Sequence, residues 1–304
     1  MWKFAHLVIN DSAVILRLCQ IICIRIENGA VSIPKVGKVN IIQHRQLVSE
    51  IKTVTVQLSH GKWNVSFTQE VECKTAKRVL SLIVGYDINS QHTVVGSNGW
   101  YVKNPKVFKR SSTKLKQIQV QLSRRKKGSS RWHKTKSRLN TLHGKISRQR
   151  LAFAHEVSCS IAKISDIIVF EDLNVKGMQQ FNGHMVNDNV MGMITSLTKY
   201  KVELNGGIYH EIGRFVKSSG ICYQCKHTQK FGLSVREFAC ESCGLVQCRD
   251  LAAAKSIENT GENDLMAAGI VARVTPKFQK KTSIKTKVFE LSKFGVGTEK
   301  KEAA

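Results

Sequence analysis

Two Cys-x-x-Cys knuckles restrict what this chain can fold into more than any other feature. They are "CYQC" at 222–225 and "CESC" at 240–243, separated by fourteen residues. Thiolates at that spacing converge on one tetrahedral ion at about 2.3 Å, and the residues between them form a ribbon. Four unrelated buried cysteines would rarely give both tight spacings with a glycine, Gly244, directly after the second pair. Four protein ligands close the metal shell, so the expectation is a structural Zn²⁺ held by Cys222, Cys225, Cys240 and Cys243. Cys248, His227 and His210 stand nearby as alternative ligands, and none is needed. The chain has nine cysteines, an odd number that suits metal binding in a reducing compartment better than a disulfide framework.

Charge is the second constraint. Lys and Arg total 48 against 22 Asp and Glu, a net charge of +26, which points to a polyanionic partner, nucleic acid before an anionic membrane. The most apolar N-terminal stretch, 13–24, contains Arg17 and is too short to span a bilayer, so no membrane partner and a cytoplasmic location are expected. The cations are concentrated. No Asp or Glu occurs between Asp87 and Glu156, while residues 103–150 carry 17 Lys and Arg. A helix kept soluble for its own sake mixes both signs. Arg124, Arg125, Lys126, Lys127, Arg131 and Lys134 are the expected contacts to a nucleic-acid backbone. Trp132 is suited either to stacking on a base or to stapling two helices together.

Along the chain, 32–68 reads as short alternating strands, a small antiparallel barrel or sheet with a turn at "SHGKW". A buried strand at 80–89 is followed by a second strand and a hairpin turn at Ser97, Asn98 and Gly99. Leu115, Ile118 and Leu122, then Leu139 through Ile164, follow helical faces on either side of the breaker "KKGSSRW", which predicts two long antiparallel helices. The strand "DIIVFE" comes next, then a polar loop at 174–193 and a helix near 194–204. There is no internal repeat. The stretch 274–304 lacks sustained periodicity and reads as a flexible basic tail.

Three acidic positions stand at element ends: Asp87 after one apolar run, Glu171 or Asp172 after another, and Asp250 before an alanine-rich helix. An aspartate before a helix ordinarily serves as its N-cap. The set suggests more, because carboxylates gathered at one end of a sheet repel each other unless a divalent cation joins them. Mg²⁺ prefers such oxygens, and two ions about 3.5–4 Å apart support phosphodiester hydrolysis. Pattern alone does not choose between Glu171 and Asp172, since both faces of the strand are apolar.

"GYDIN" (85–89), "LSRRKKGSSRWHKTKSRLNTLHGKISRQR" (122–150), "VFEDLNVKGM" (169–178), "SSGICYQC" (218–225), "CESCG" (240–244) and "CRDLAAA" (248–254) together resemble the transposon-encoded TnpB (OrfB) family, relatives of type V CRISPR effector nucleases. The resemblance runs from about residue 32 to about 258. It implies an α/β fold: an RNase H-like (RuvC-like) mixed sheet with a basic helical hairpin and an inserted zinc ribbon, preceded by part of a β-barrel wedge domain. The boundaries read from it are an unmatched segment at 1–30, a partial wedge at 31–79, and a nuclease domain at 80–217 with its hairpin at 103–164. The ribbon follows at 218–246, the end of the nuclease domain at 247–260 and a tail at 261–304. By motif position Asp87, Glu171 and Asp250 match the family's catalytic acids, binding Mg²⁺ or Mn²⁺, and Asp172 becomes a supporting residue. The implied activity is an RNA-guided DNA endonuclease of a mobile element, with a guide RNA from the transposon end and DNA as partners.

The chain departs from the family pattern at three positions: Cys248 replaces an acid, Ala252 an Asn, and Asn89 a Gly. The helical recognition domain usual at the front has no counterpart, so an N-terminally truncated copy is expected. A rival reading is a catalytically inactive relic or regulator that only binds DNA or RNA. An enzyme acting on small phosphates is disfavoured, since it would leave so large a basic surface without a task.

Overall fold

The computed structural model describes residues 5–270 except 11–12, 20–25, 28, 34–36, 72–79, 90–91, 176, 179, 181–189, 215, 217–218, 231 and 233–234. Part of the polar loop at 174–193 and all of the tail at 274–304 therefore lie outside the described residues. Two compact units emerge, one formed by 1–75 with 107–150, the other by 76–106 with 151–304.

In the first unit, β1 (Ala5–Asn10), β2 (Ala13–Cys19), β6 (Ile51–Ser59) and β7 (Lys62–Gln69) form an antiparallel sheet in the order β1-β2-β6-β7. Its β6–β7 hairpin turns through His60 and Gly61, both at positive φ (51° and 76°), the pairing that two-residue hairpin loops demand. A three-stranded sheet comprises β3 (Ile26–Glu27), β4 (Ala30–Ile33) and β5 (Gly37–Asn40). The N-terminal apolar stretch is thus a strand: β2 pairs with β6 from Val14–Leu58 to Cys19–Thr53. Local pattern does not assign that segment, because its partner lies far along the chain.

The same unit holds the basic helices α1 (Val107–Ser123) and the first part of α2 (Ser130–Ile164). Gly128, at φ 84°, turns the connection between them. The Arg150 guanidinium lies 5.5 Å from the Phe108 ring centroid, joining α2 to the far end of α1, as the predicted antiparallel pair requires.

The second unit is built on a five-stranded mixed sheet, in the order β10-β9-β8-β11-β12. Its strands are β8 (Ile83–Asp87), β9 (His92–Gly96), β10 (Tyr101–Lys103), β11 (Ile167–Glu171) and β12 (Ile208–Ile212). β11 runs parallel to both β8 and β12, whereas β9 is antiparallel to β8 and β10. The hairpin turn is where the sequence puts it, with Gly99 at φ 85° donating its N–H to the Gly96 carbonyl.

Alternation along β8 and β11 divides the core into two layers. Val84, Tyr86, Ile168 and Phe170 pack with Phe153, Val157 and Ile161 of α2 and with Met191 and Ile194 of α3 (Met191–Leu204). On the opposite face Ile83, Ile167 and Val169 pack with Ile257 and Leu265 of α4 (Arg249–Ala267). Helix α4 continues past residue 260, the boundary expected from the sequence. Its approach to the sheet is close enough to need glycine on both sides. A Cβ on Gly85 would overlap the Ala254 carbonyl and Glu258 backbone, and one on Gly261 would overlap Val169.

Candidate metal centres

The face on which α4 lies decides which acid of "EDLN" meets Asp87. Val169 is level with Gly85 and Phe170 with Tyr86, so Glu171 and Asp87 are the next residues of neighbouring parallel strands, on the face of Val169 and Gly85. Asp172 goes elsewhere: Arg214 Nη2 lies 2.9 Å from its Oδ2 and 3.0 Å from its Oδ1.

Asp250 reaches the same region from the first turn of α4, where a carboxylate complements the helix dipole. It is not the N-cap, as a lone aspartate there would suggest. Cys248 occupies that position, without a side-chain capping bond. Burial pushes the Asp87 carboxyl up to about 7, opposed by the Asn89 hydrogen bond and reinforced by the charges of Asp250 and Glu171. Asp87 thus feels the charges of both other acids.

Two polar side chains that sequence reading did not place in the site bind these acids. Asn89 Nδ2 donates to Asp87 Oδ2 at 3.0 Å, while its Oδ1 accepts the His92 backbone N–H at 2.8 Å. His92 Nδ1 lies 3.2 Å from Asp250 Oδ2, and its ring meets that of Tyr101 edge-on at 5.1 Å. The available signal was Asn89 itself, a side chain where the family resemblance leads one to expect glycine.

Among the described residues, Cys222, Cys225, Cys240 and Cys243 bring their sulfurs within 4.8 Å of one another. The separations of 3.6 Å for Cys222–Cys243 and 3.5 Å for Cys225–Cys240 are near the spacing of about 3.8 Å that a tetrahedral ion bound at 2.3 Å imposes on its sulfurs. Both knuckles use the same turn. The N–H of Lys226 bonds to the Cys222 carbonyl and that of Gly244 to the Cys240 carbonyl. Both residues have positive φ, 63° and 70°, so Gly244 is the unstrained version of the turn. Donor set and spacing fit a zinc ion. His210 is instead paired with Asp264, at 3.1 Å.

The cysteine cluster rests on the helix that carries Asp250. Ala252, at the position where the family has Asn, packs with Cys222, Cys240 and Phe238. Ser256 donates to the Ile221 carbonyl and Asn259 to that of Tyr223, while Lys255 Nζ lies 4.5 Å from the Tyr223 ring centroid. The short strands β13 (Glu237–Ala239) and β14 (Val246–Cys248) close this element antiparallel.

Of the six expected phosphate contacts, Arg124, Lys126, Lys127, Arg131 and Lys134 are exposed. Arg125 is half-buried and donates to the Arg131 carbonyl and the Thr135 hydroxyl, fastening the turn between the helices. Trp132 is half-buried, with Lys136 Nζ 4.9 Å from its ring centroid. No helix among the described residues is long and apolar enough to cross a membrane.

Comparison with known proteins adds identity to this geometry. Residues 66–182 match the OrfB_IS605 family, described as a probable transposase, and residues 192–257 match the Cas12f1-like TNB domain. The chain is 29% identical over 276 residues to "Putative RNA-guided DNA endonuclease InsQ" of Escherichia coli (strain K12), covering 85% of this chain and 68% of that protein. It is 30% identical over 254 residues to a "Putative RNA-guided DNA endonuclease" of Streptomyces pristinaespiralis, covering 81% of this chain and 60% of the relative. Among solved structures, the cryo-EM structure of a Cas12f1–sgRNA–target DNA complex matches with a TM-score of 0.51 at 14% identity, covering 84% of this chain and 61% of that one, a likeness of fold. The family matches fall on strands bearing Asp87 and Glu171 and on the segment bearing the cysteines and Asp250, and with these relatives they make the chain similar to the transposon-encoded OrfB (TnpB) family.

Proposed function

We propose that the chain is an RNA-guided DNA endonuclease of a mobile element, hydrolysing phosphodiester bonds at a divalent-metal site formed by Asp87, Glu171 and Asp250. The observation that carries this reading is the delivery of three carboxylates, from two parallel strands and the first turn of α4, to one end of one sheet. Such a set holds Mg²⁺ or Mn²⁺, which when bound activates a water and stabilises the charge on the leaving 3′ oxygen. The chain's own part is to fix the carboxylates. Asp87 gives up its proton as it becomes a ligand.

In this reading 80–217 and 247–260 form a RuvC-like domain of RNase H fold, and the four cysteines hold a structural zinc in the ribbon at 218–246. Residues 31–79 belong to a wedge-like domain. The exposed cations around the α1–α2 turn track the backbone of the guide RNA or of its duplex with DNA. The guide, drawn from the transposon end, reads sequence by pairing while the protein reads backbone and shape.

The test is depletion of target plasmids in cells carrying this reading frame and its native flanking DNA. Depletion beside a particular short motif, lost with Asp87→Ala or Glu171→Gln while nucleic acid still co-purifies, is the expected result. Unchanged depletion in both variants would exclude this centre. No depletion with the wild-type chain would favour the binding-only reading.

A further inference from the structure

We propose that Asn89 and His92 form a hydrogen-bonded bracket that sets the separation of the Asp87 and Asp250 carboxylates, making both of them positioning residues of the metal site. The inference rests on the nuclease reading of these acids.

Asp87 ends a strand and Asp250 begins a helix, so no backbone ladder relates the two carboxylates. Side chains must do so against mutual repulsion. The bracket spans the gap in three bonds: Asp87 Oδ2 to Asn89 Nδ2, Asn89 Oδ1 to the His92 N–H, and His92 Nδ1 to Asp250 Oδ2. Each group has one role available. Only the NH₂ end of the Asn89 amide can donate to a carboxylate, which turns its oxygen toward the His92 N–H. A carboxylate oxygen accepts, so His92 Nδ1 carries the hydrogen, and the Tyr101 ring packs edge-on against the imidazole. A metal-ligating carboxylate is oriented by such outer partners, whose loss typically weakens metal affinity or activity by about 10–100-fold. A glycine at 89 has no side chain with which to build this bracket.

The zinc-loaded full chain is titrated with Mn²⁺, the free ion being followed by electron paramagnetic resonance, and target cleavage is measured in parallel. Asn89→Gly, Asn89→Ala and His92→Ala should each weaken Mn²⁺ binding about tenfold or more. His92→Asn places an amide N–H near the site of Nδ1 and should bind Mn²⁺ within about threefold of wild type, whereas His92→Gln, whose amide reaches the Nε2 position, should not. A fold-stabilising role would not separate Asn from Gln, and equal melting temperatures for that pair decide the matter even if His92→Ala fails to fold. Wild-type Mn²⁺ affinity in Asn89→Ala and His92→Gln, with Asp250→Ala deficient, would overturn the bracket alone. Wild-type affinity and cleavage in Asp87→Ala and Asp250→Ala would overturn the carboxylate site and the bracket with it.

Discussion

Asp87 is the residue on which opposing demands fall most heavily. Its ordinary value of 3.8 is raised to about 7 by burial, then by the neighbouring acids, against the pull of Asn89. Below pH 4 the carboxyl is protonated in both folded and unfolded chains. Between 4 and 7 the folded chain alone keeps the proton, so this group's contribution to stability is lost as pH rises through the folded value. Asp87→Asn, which imitates the protonated form, should therefore raise the melting temperature of protein without divalent ions at pH 8 and leave it nearly unchanged at pH 4. A differential scanning measurement at both pH values checks this, and added Mg²⁺ should stabilise only the wild type at pH 8. All three acids were legible in the sequence as element ends. The choice of Glu171 over Asp172 came from the motif resemblance and not from the residue pattern, because it depends on strand register and on which face α4 covers. Asn89 left only the signal of a side chain where the resemblance leads one to expect glycine, and His92 left none: the His92–Asp250 contact joins positions 158 residues apart, and the residue type does not announce such a bond.

At the scale of elements, α4 is held from two sides. One side lies on the sheet through Gly85 and Gly261. Gly85→Ala should destabilise the second unit by about 2 kcal/mol, since the obstruction is backbone and the helix must shift as a whole. Chemical denaturation followed by far-UV circular dichroism would register it, and nuclease activity should fall further than stability because Asp250 moves with the helix. The other side carries the cysteine cluster through Ala252, Lys255, Ser256 and Asn259. Stripping the metal with a chelator should accordingly speed amide hydrogen exchange in the first turns of α4 as well as in the ribbon. Helical periodicity foretold α1 and α2, and the knuckle spacing foretold the cluster. Nothing in local pattern announced that β1 and β2 extend the β6–β7 sheet, because sheet partners are chosen by long-range pairing and not by propensity.

For the molecule as a whole, the excess of cations is the dominant physical fact. Replacing the five exposed residues Arg124, Lys126, Lys127, Arg131 and Lys134 by alanine should flatten the logarithmic salt dependence of duplex binding by about 4.5, close to 0.9 for each of the five phosphates left unneutralised. Fluorescence anisotropy across a salt series measures this, and Arg125→Ala should instead lower helix stability, since its guanidinium fastens the turn. The close seat of α4 on the sheet also bears on how genes of this kind decay. A copy that has mutated Gly85 or Gly261 to anything larger still spells out every acid and every cysteine, yet its helix can no longer settle where Asp250 is needed. Among the many copies a mobile element leaves across genomes, these two glycines would therefore separate working genes from pseudogenes that a search for intact catalytic motifs passes as sound.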